Sequence, residues 1–355
     1  MTRAREGYST GTCAAAAAKA AAAVLSGHPA PGDVDVLLPD GSRARLAVAY
    51  ARCVGDMAEA AVRKDAGDDP DITDGKTVVA AVRWSAGTDV AFAAGDGVGT
   101  ITRPGLQLAP GEPAINPVPR RMIRHAVRDV TDRDVIVTVS IPGGKQLAEK
   151  TFNPRLGIVG GLSILGTTGR VRPFSHPALQ AALKCGVDVA AACGIASPVL
   201  VPGHVGERAA HRHFELLSEQ VIEVSNEWGY MLSLVAQAPF RAILALGHPG
   251  KLAKLAEREW DTHSSRSGSA VPAVARVAEA VLGRTLPDSP TVEGLFAALA
   301  PDESRRLADA LAARVCEQIA AFLHGARHGV AVVLVNMRGE WLGSHGDLRP
   351  WHKRG

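Results

Sequence analysis

Between Asn153 and Pro173 the chain reads Asn-Pro-Arg-Leu-Gly-Ile-Val-Gly-Gly-Leu-Ser-Ile-Leu-Gly-Thr-Thr-Gly-Arg-Val-Arg-Pro, a run that combines the groups used in anion recognition. Gly157, Gly160, Gly161, Gly166 and Gly169 are too frequent for a helix and suit positive φ or close approach, which leaves backbone N–H groups open to a ligand. Ser163, Thr167 and Thr168 add hydroxyls, and Arg155, Arg170 and Arg172 bracket the loop with charge suited to carboxylates or phosphates. Leu156, Ile158, Val159, Leu162, Ile164 and Leu165 would seat the segment in a core. The same composition also fits a tight crossover between domains, and the residues alone leave both open.

A second constellation is Ala66-Gly67-Asp68-Asp69-Pro70-Asp71-Ile72-Thr73. Its three carboxylates, on Asp68, Asp69 and Asp71, could bind a cation, orient hydroxyls or act as a general base, with a solvated turn as the plain alternative. A calcium loop of EF-hand type is excluded, because Ile72 and Thr73 follow Asp71 where further ligands are required. Gly95-Asp96-Gly97-Val98-Gly99-Thr100 is only superficially like a nucleotide fingerprint, its third glycine falling one residue early. Gly247-His248-Pro249-Gly250-Lys251 approaches a P-loop, but Ala245 and Leu252 replace the required glycine and hydroxyl. Triphosphate hydrolysis is therefore discounted, and Lys251 is kept as an anion contact at a helix start. His204, His211 and His213 lack an Asp or Cys at ligand spacing, so no metal site is expected. Thr262-His263-Ser264-Ser265 suggests an acid–base pair without the Gly-x-Ser-x-Gly elbow of a hydrolase. Cys13 could be an activated thiol in a first helical turn, but a small buried thiol is the preferred expectation.

These groups need elements to place them. Residues 9–25 predict an alanine-rich helix capped by Ser9 or Thr10. Its hydroxyl-rich, partially positive start could hold a carboxylate, which makes Thr10 and Thr12 candidate substrate contacts. Three hairpin signals follow: 34–38 with 43–50 about Asp40-Gly41, 77–84 with 90–94 about Ala86-Gly87, and 135–141 running into Gly143-Gly144. Pro113 to Arg121 should be extended through its prolines, ahead of a helix over 120–130. Residues 177–192 read as a helix, and from about Ala196 single apolar strands alternate with helices. The expectation is an α+β domain over 1–195, rich in hairpins, followed by a parallel-sheet α/β domain over 196–355, with the glycine loop beside their shared cleft. In such sheets ligands sit beyond the carboxyl ends of the strands, here the Pro202-Gly203-His204 and Gly247-to-Lys251 loops.

The totals bound the function class. A chain of 355 residues, 46% hydrophobic, can bury the cores of about two domains. A formal charge of +3 with scattered basic residues does not favour nucleic acid and fits a small acidic ligand. Cys13, Cys53, Cys185, Cys193 and Cys316 are odd in number and widely spaced, which predicts reduced thiols and a cytoplasmic setting. No stretch is apolar and long enough to predict a membrane span. The oligomeric state is left open, a homodimer among the choices.

Taken together the segments resemble the cobalt-precorrin-5B C1-methyltransferase family of anaerobic cobalamin biosynthesis. The resemblance rests on Gly7 to Ala15, Asp65 to Asp71, Gly97 to Thr100, Ala114 to Pro119 and, above all, Asn153 to Gly169, and it extends to Pro202 to Arg208, Ser225 to Gly229, Gly247 to Leu252 and Thr262 to Ser264. His204 stands where asparagine is expected, and Arg266-Ser267-Gly268 where the family tends to carry an acidic residue. The resemblance implies transfer of a methyl group from S-adenosylmethionine to C1 of cobalt-precorrin-5B, giving cobalt-precorrin-6A. Candidate donor contacts are Gly157, Gly160, Gly161, Thr167, Thr168, Gly203, Gly247 and His248, with the choice between the glycine loops left open, and candidate contacts to the polycarboxylate cobalt corrinoid are Thr10, Thr12, Arg155, Arg172 and Lys251. Asp68, Asp69 or Asp71 would serve if a base is used. Cobalt arrives inside the substrate, so no protein-bound metal is expected, although His204 or His248 could reach it as an axial ligand. A non-catalytic corrinoid carrier and a phosphotransferase built on glycine loops are the two other classes.

Overall fold

The computed structural model describes residues 5–87, 89–173, 175–323 and 328–352. It is a mixed α/β structure with several sheets, some of whose strands are parallel. Two compact units, Met1–His176 and Pro177–Gly355, divide the chain. The helix His176–Ala192, expected to close the first domain, thus falls almost wholly in the second unit.

In the first unit the alanine run forms the helix Thr10–Leu25, and Ser9 caps it by accepting the Thr12 N–H. Alanine keeps this helix thin. It lies against the strands Met57–Arg63 and Thr77–Trp84 and the helix Pro117–Arg128, with Ala14 to Ala18 fully buried. The strand faces turned into this core alternate as period-two patterning requires, with Val78, Ala80 and Val82 from one strand and Val135, Val137 and Val139 from another. The helix Pro117–Arg128 begins earlier than its prolines suggested: Pro117 and Pro119 sit in the first turn, where no intrahelical N–H bond is lost.

The hairpin Asp33–Leu37 with Arg43–Ala47 forms as expected about Asp40-Gly41. The strands Thr77–Trp84 and Val90–Ala94 also form, yet they do not pair with each other. Val135–Ser140 inserts between them, antiparallel to the first and parallel to the second. Its core-facing Val135, Val137 and Val139 are fully buried, as are Val78, Ala80 and Val82 of the strand beside it. Tyr50–Val54 and Met57–Arg63 add a hairpin that the sequence pattern had not shown. Gly143, at φ +76, starts the short helix Gly144–Ala148 instead of a returning strand.

The second unit carries a five-stranded sheet. Val221–Glu223, Val199–Val201, Ala242–Gly247 and Gly329–Val335 run parallel in that spatial order, and Trp341–His345 closes the edge antiparallel. The helix His204–His213 covers one face, with Phe214 and Trp351 completing that core. The helix Pro301–Phe322 packs on the last two strands. After the strand Ala242–Gly247 the alternation of strands with helices is interrupted: only the short turns Pro249–Leu252 and Leu255–Glu257 directly follow it. No helix among the described residues is long and apolar enough to cross a membrane.

Candidate active site

In the first unit, three distant segments meet at the glycine loop through backbone bonds. The Gly11 N–H donates to the Leu165 carbonyl at 2.8 Å, and the Ser9 N–H to that of Gly169 at 2.9 Å. Thr10 Oγ1 accepts the Leu165 N–H at 2.9 Å, while the Thr12 hydroxyl donates to the Gly169 carbonyl at 2.6 Å. Both threonines are buried and bond to the loop, so any influence on a ligand passes through the loop they hold.

Behind the loop lies the glycine-rich segment Gly95 to Thr100. The Leu162 N–H donates to Gly97 at 2.9 Å and the Gly99 N–H to Leu162 at 2.8 Å. The Ile164 N–H donates to Ala114 at 2.7 Å and the Asn116 N–H to Ile164 at 3.1 Å. Gly161 meets the backbone so closely that an added Cβ would lie 2.3 Å from the Gly97 carbonyl carbon. Asn153, missed as a functional residue, braces the turn: its Nδ2 donates to the Gly161 carbonyl at 3.0 Å and its Oδ1 accepts from Ser163 at 3.3 Å. An asparagine ahead of a proline at the loop's entry was the available signal in the sequence.

The loop's outward side combines apolar side chains, bare glycine backbone and hydroxyls. Val159 is 59% and Leu165 50% exposed, with Gly160, Thr167 and Thr168 also exposed. Gly160 has φ +90 and open space where a Cβ would be, whereas Gly157 is packed against the Arg103 side chain. At the rim, the Arg155 guanidinium lies 5.7 Å from the centre of the Phe152 ring. Arg172 Nε is 2.7 Å from Glu6 Oε1, and Arg170 lies 4.0 Å from the same carboxylate.

The acidic loop is stitched to the chain start. Arg5 grips Asp65 at 2.5 and 2.9 Å, and its backbone N–H donates to Asp68 Oδ2 at 2.7 Å. Asp71 accepts from Lys64 Nζ at 2.8 Å and from the Thr73 N–H and hydroxyl, each at 2.7 Å. Burial alone would push the Asp71 carboxyl up; the bonds from Lys64 and Thr73 outweigh it and hold the group below the usual carboxylate range. A carboxylate so engaged is a poor proton acceptor, and of the other two members of the trio Asp68 is exposed and Asp69 half-exposed. Cys13 is buried and its thiol is pushed up to about 12, chiefly by burial, as a packed thiol requires.

In the second unit the strand order reverses beside Val199–Val201: the chain moves to Val221–Glu223 on one side and then to Ala242–Gly247 on the other. This is a topological switch point, where loops leave the carboxyl ends in opposite directions and open a crevice. Gly203 and Gly247 stand on those loops, Gly247 so close to Pro202 that a Cβ would lie 2.8 Å from its ring. His248 caps the following turn. Its Nδ1 accepts the Gly250 N–H at 3.0 Å, which puts the ring proton on Nε2, 2.8 Å from Glu293 Oε2. Both ring nitrogens are thereby engaged, so axial ligation by His248 would require it to leave these bonds.

Lys251 donates to Asn226 Oδ1, which also accepts from Thr262 Oγ1 at 3.2 Å. Lys254, buried, donates to the Thr262 carbonyl at 3.1 Å and to Ser267 Oγ at 2.9 Å. Burial, then repulsion from Lys254, lowers the Lys251 ammonium below its ordinary value against the pull of Asp261. The Ser225-to-Glu227 turn thus organises this end of the sheet, with buried Glu227 accepting from Gln180 at 3.0 Å. Among the described residues no group of three His, Cys, Asp or Glu side chains gathers as for a metal ion. His213 instead contacts the Gly339 carbonyl at 2.8 Å, and His204 contacts Glu207 at 3.3 Å.

Comparison with known proteins matches residues 1–173 to the family described as CbiD and residues 261–346 to that described as CbiD, C-terminal domain. A protein of Syntrophotalea carbinolica named cobalt-precorrin-5B C(1)-methyltransferase is 56% identical over 345 residues, covering 97% of this chain and 98% of the other. One of the same name from Pseudomonas paraeruginosa is 41% identical over 355 residues, covering 97% and 96%. A crystal structure of cobalamin biosynthesis protein (cbiD) from Archaeoglobus fulgidus is 26% identical with a TM-score of 0.40, covering 75% of this chain and 85% of that one. With more than half of its residues shared across nearly the whole of both chains, this chain belongs to the CbiD family, that of the cobalt-precorrin-5B C(1)-methyltransferases.

Proposed function

We propose that this protein transfers the methyl group of S-adenosylmethionine to C1 of cobalt-precorrin-5B, giving cobalt-precorrin-6A. The observation that carries this is the 56% identity sustained over 97% of the chain with a protein of that name. In the reaction the sulfonium–methyl bond breaks with its electrons going to sulfur, a carbon–carbon bond forms at C1, and S-adenosylhomocysteine leaves as a neutral thioether. Such a transfer depends mainly on alignment of the donor with the ring carbon and on exclusion of water. Cobalt is part of the substrate.

The donor falls to one of two places: Gly160, Thr167 and Thr168, exposed on the glycine loop of the first unit, or Gly203 with the His248 turn at the carboxyl ends of the parallel strands of the second, where Gly247 packs on Pro202 and shapes the turn from within. Gly157 and Gly161 shape the loop from within. Exposed Val159 and Leu165 suit the apolar face of a flat macrocycle, and Arg155, Arg172 and Lys251 suit its peripheral carboxylates. Asp68 and Asp69 are the candidates for a base. Calorimetric titration with S-adenosylmethionine and S-adenosylhomocysteine tests the assignment. Saturable binding of both is expected, whereas a carrier would take up the corrinoid and ignore both nucleosides.

A further inference from the structure

We propose that a cavity in the second unit, between Arg208, Arg212 and Arg338, receives a carboxylate arm of the corrinoid. The identity of that anion rests on the methyltransferase function proposed above. Arg208 and Arg212 are four residues apart on the helix His204–His213, so their side chains share a face. Arg338 comes from the turn between the strands Gly329–Val335 and Trp341–His345, which Asn336 Oδ1 braces by accepting the Arg338 and Glu340 N–H groups, each at 2.9 Å. His213 contacts the Gly339 carbonyl at 2.8 Å, and Arg212 Nη1 donates to the Arg338 carbonyl at 3.4 Å, so helix and turn are joined.

The cavity they frame measures about 220 Å³, and Val205, Ala209 and Gly339 complete its lining. That is below the roughly 300–1,000 Å³ of sites that take a whole small molecule, and suits one side arm. No carboxylate lines it, and among the described residues none pairs with any of the three guanidiniums. Elsewhere in the same unit Arg284 meets Glu303 at 2.9 Å and Arg349 meets Asp347 at 2.7 Å. All three arginines are exposed and, among the described residues, carry no carboxylate partner, so an entering carboxylate can take bidentate bonds from guanidiniums that no ion pair already occupies.

Two substrates carry carboxylates. The methyl donor's lies next to an ammonium and a sulfonium, leaving that molecule net positive. The lining offers no acceptor side chain for an ammonium, and the Arg338 and Gly339 carbonyls are already engaged. The corrinoid's acetate and propionate arms bring negative charge alone, and their methylenes fit against Val205 and Ala209.

Dicyanocobyrinic acid and its fully esterified methyl ester, which share one ring and differ in charge, test this by calorimetry. Arg208→Ala and Arg338→Ala should each weaken the acid about ten-fold, the effect of one charged hydrogen bond. They should leave the ester, S-adenosylmethionine and the melting temperature unchanged. Arg338→Lys should recover part of the loss, and Arg284→Ala should change nothing. Unaltered affinity for the acid overturns the proposal, as does equal weakening of acid and ester in a destabilised protein. A loss confined to S-adenosylmethionine would assign the cavity to the donor and overturn it too. Labelled methyl transfer by the unmodified protein separates the two levels. Arginine-dependent binding of the acid without transfer keeps the cavity and removes the enzyme; transfer with indifferent arginine variants does the reverse.

Discussion

Lys64 Nζ lies 2.8 Å from Asp71 Oδ2, with the lysine side chain 0% and the aspartate 24% exposed. The pair ties the acidic loop, which carries Asp68 and Asp69, to the end of the strand Met57–Arg63. Removing one partner of a shielded pair strands the other charge, at a cost of about 3–5 kcal/mol when burial is complete. The partial exposure of Asp71 puts Asp71→Asn near the lower figure, about 3 kcal/mol. Asp68→Asn, at an exposed carboxylate, should stay within about ±0.5 kcal/mol. Urea unfolding of the two variants decides this, and an Asp71→Asn protein as stable as the parent would deny the pair its structural role.

The same carboxylate should shape the acid limb of the stability curve. Its folded-state pKa lies below its unfolded value, so its contribution is complete above about pH 4. It is lost as pH falls through the lowered folded value. Stability measured from pH 7 down to the acid transition should therefore fall less steeply in Asp71→Asn than in the parent, and parallel acid limbs would contradict this.

Two adjacent glycines should behave oppositely. At Gly161 an added Cβ has no room beside Gly97, and forcing the backbones apart should cost about 3 kcal/mol. At Gly160 the space is open and only the left-handed backbone is strained, at about 1 kcal/mol. Urea midpoints of Gly161→Ala and Gly160→Ala should show that order, and the reverse order would mean that the loop does not pack on Gly97 in solution.

Arg172 is 68% exposed where it meets Glu6, and such surface pairs contribute about 0–1 kcal/mol. Arg172→Ala should barely move the melting temperature while weakening the corrinoid about ten-fold, with the methyl donor far less affected. Glu6→Gln releases the guanidinium and should preserve or raise corrinoid affinity. If instead Arg172→Ala lowers the melting temperature and weakens both ligands together, Arg172 is a pin for the chain start. Arg155→Ala should follow the first pattern if Arg155 also faces the corrinoid.

Much of the secondary structure was legible because its signals are local. Ser9 and the alanine run mark the helix Thr10–Leu25, and the strands Thr77–Trp84, Val90–Ala94 and Gly329–Val335 fall where their apolar patterns begin and end. Pairing was not legible, since alternation says which face is buried but not which neighbour lies alongside, and Val135–Ser140 entered between two strands that a turn appeared to join. Tyr50–Val54 went unseen because, as a largely exposed edge strand, it has almost no alternation to read. The glycine loop was recognisable from its own composition. What supports it was not, because Gly97 to Gly99 and Ala114 to Asn116 act through backbone groups that leave no side-chain signature. Arg208 and Arg338 belong to a helix and a turn far apart in the chain, and only the fold brings them to one cavity.

Incubation of the protein with cobalt-precorrin-5B and S-adenosylmethionine bearing an isotopically labelled methyl group, followed by mass spectrometry of the corrinoid, tests the central claim most directly. One labelled methyl group should appear on the corrinoid, matched by one equivalent of S-adenosylhomocysteine. A corrinoid recovered bound but unmethylated, with the donor intact, would contradict catalysis and leave a carrier in its place.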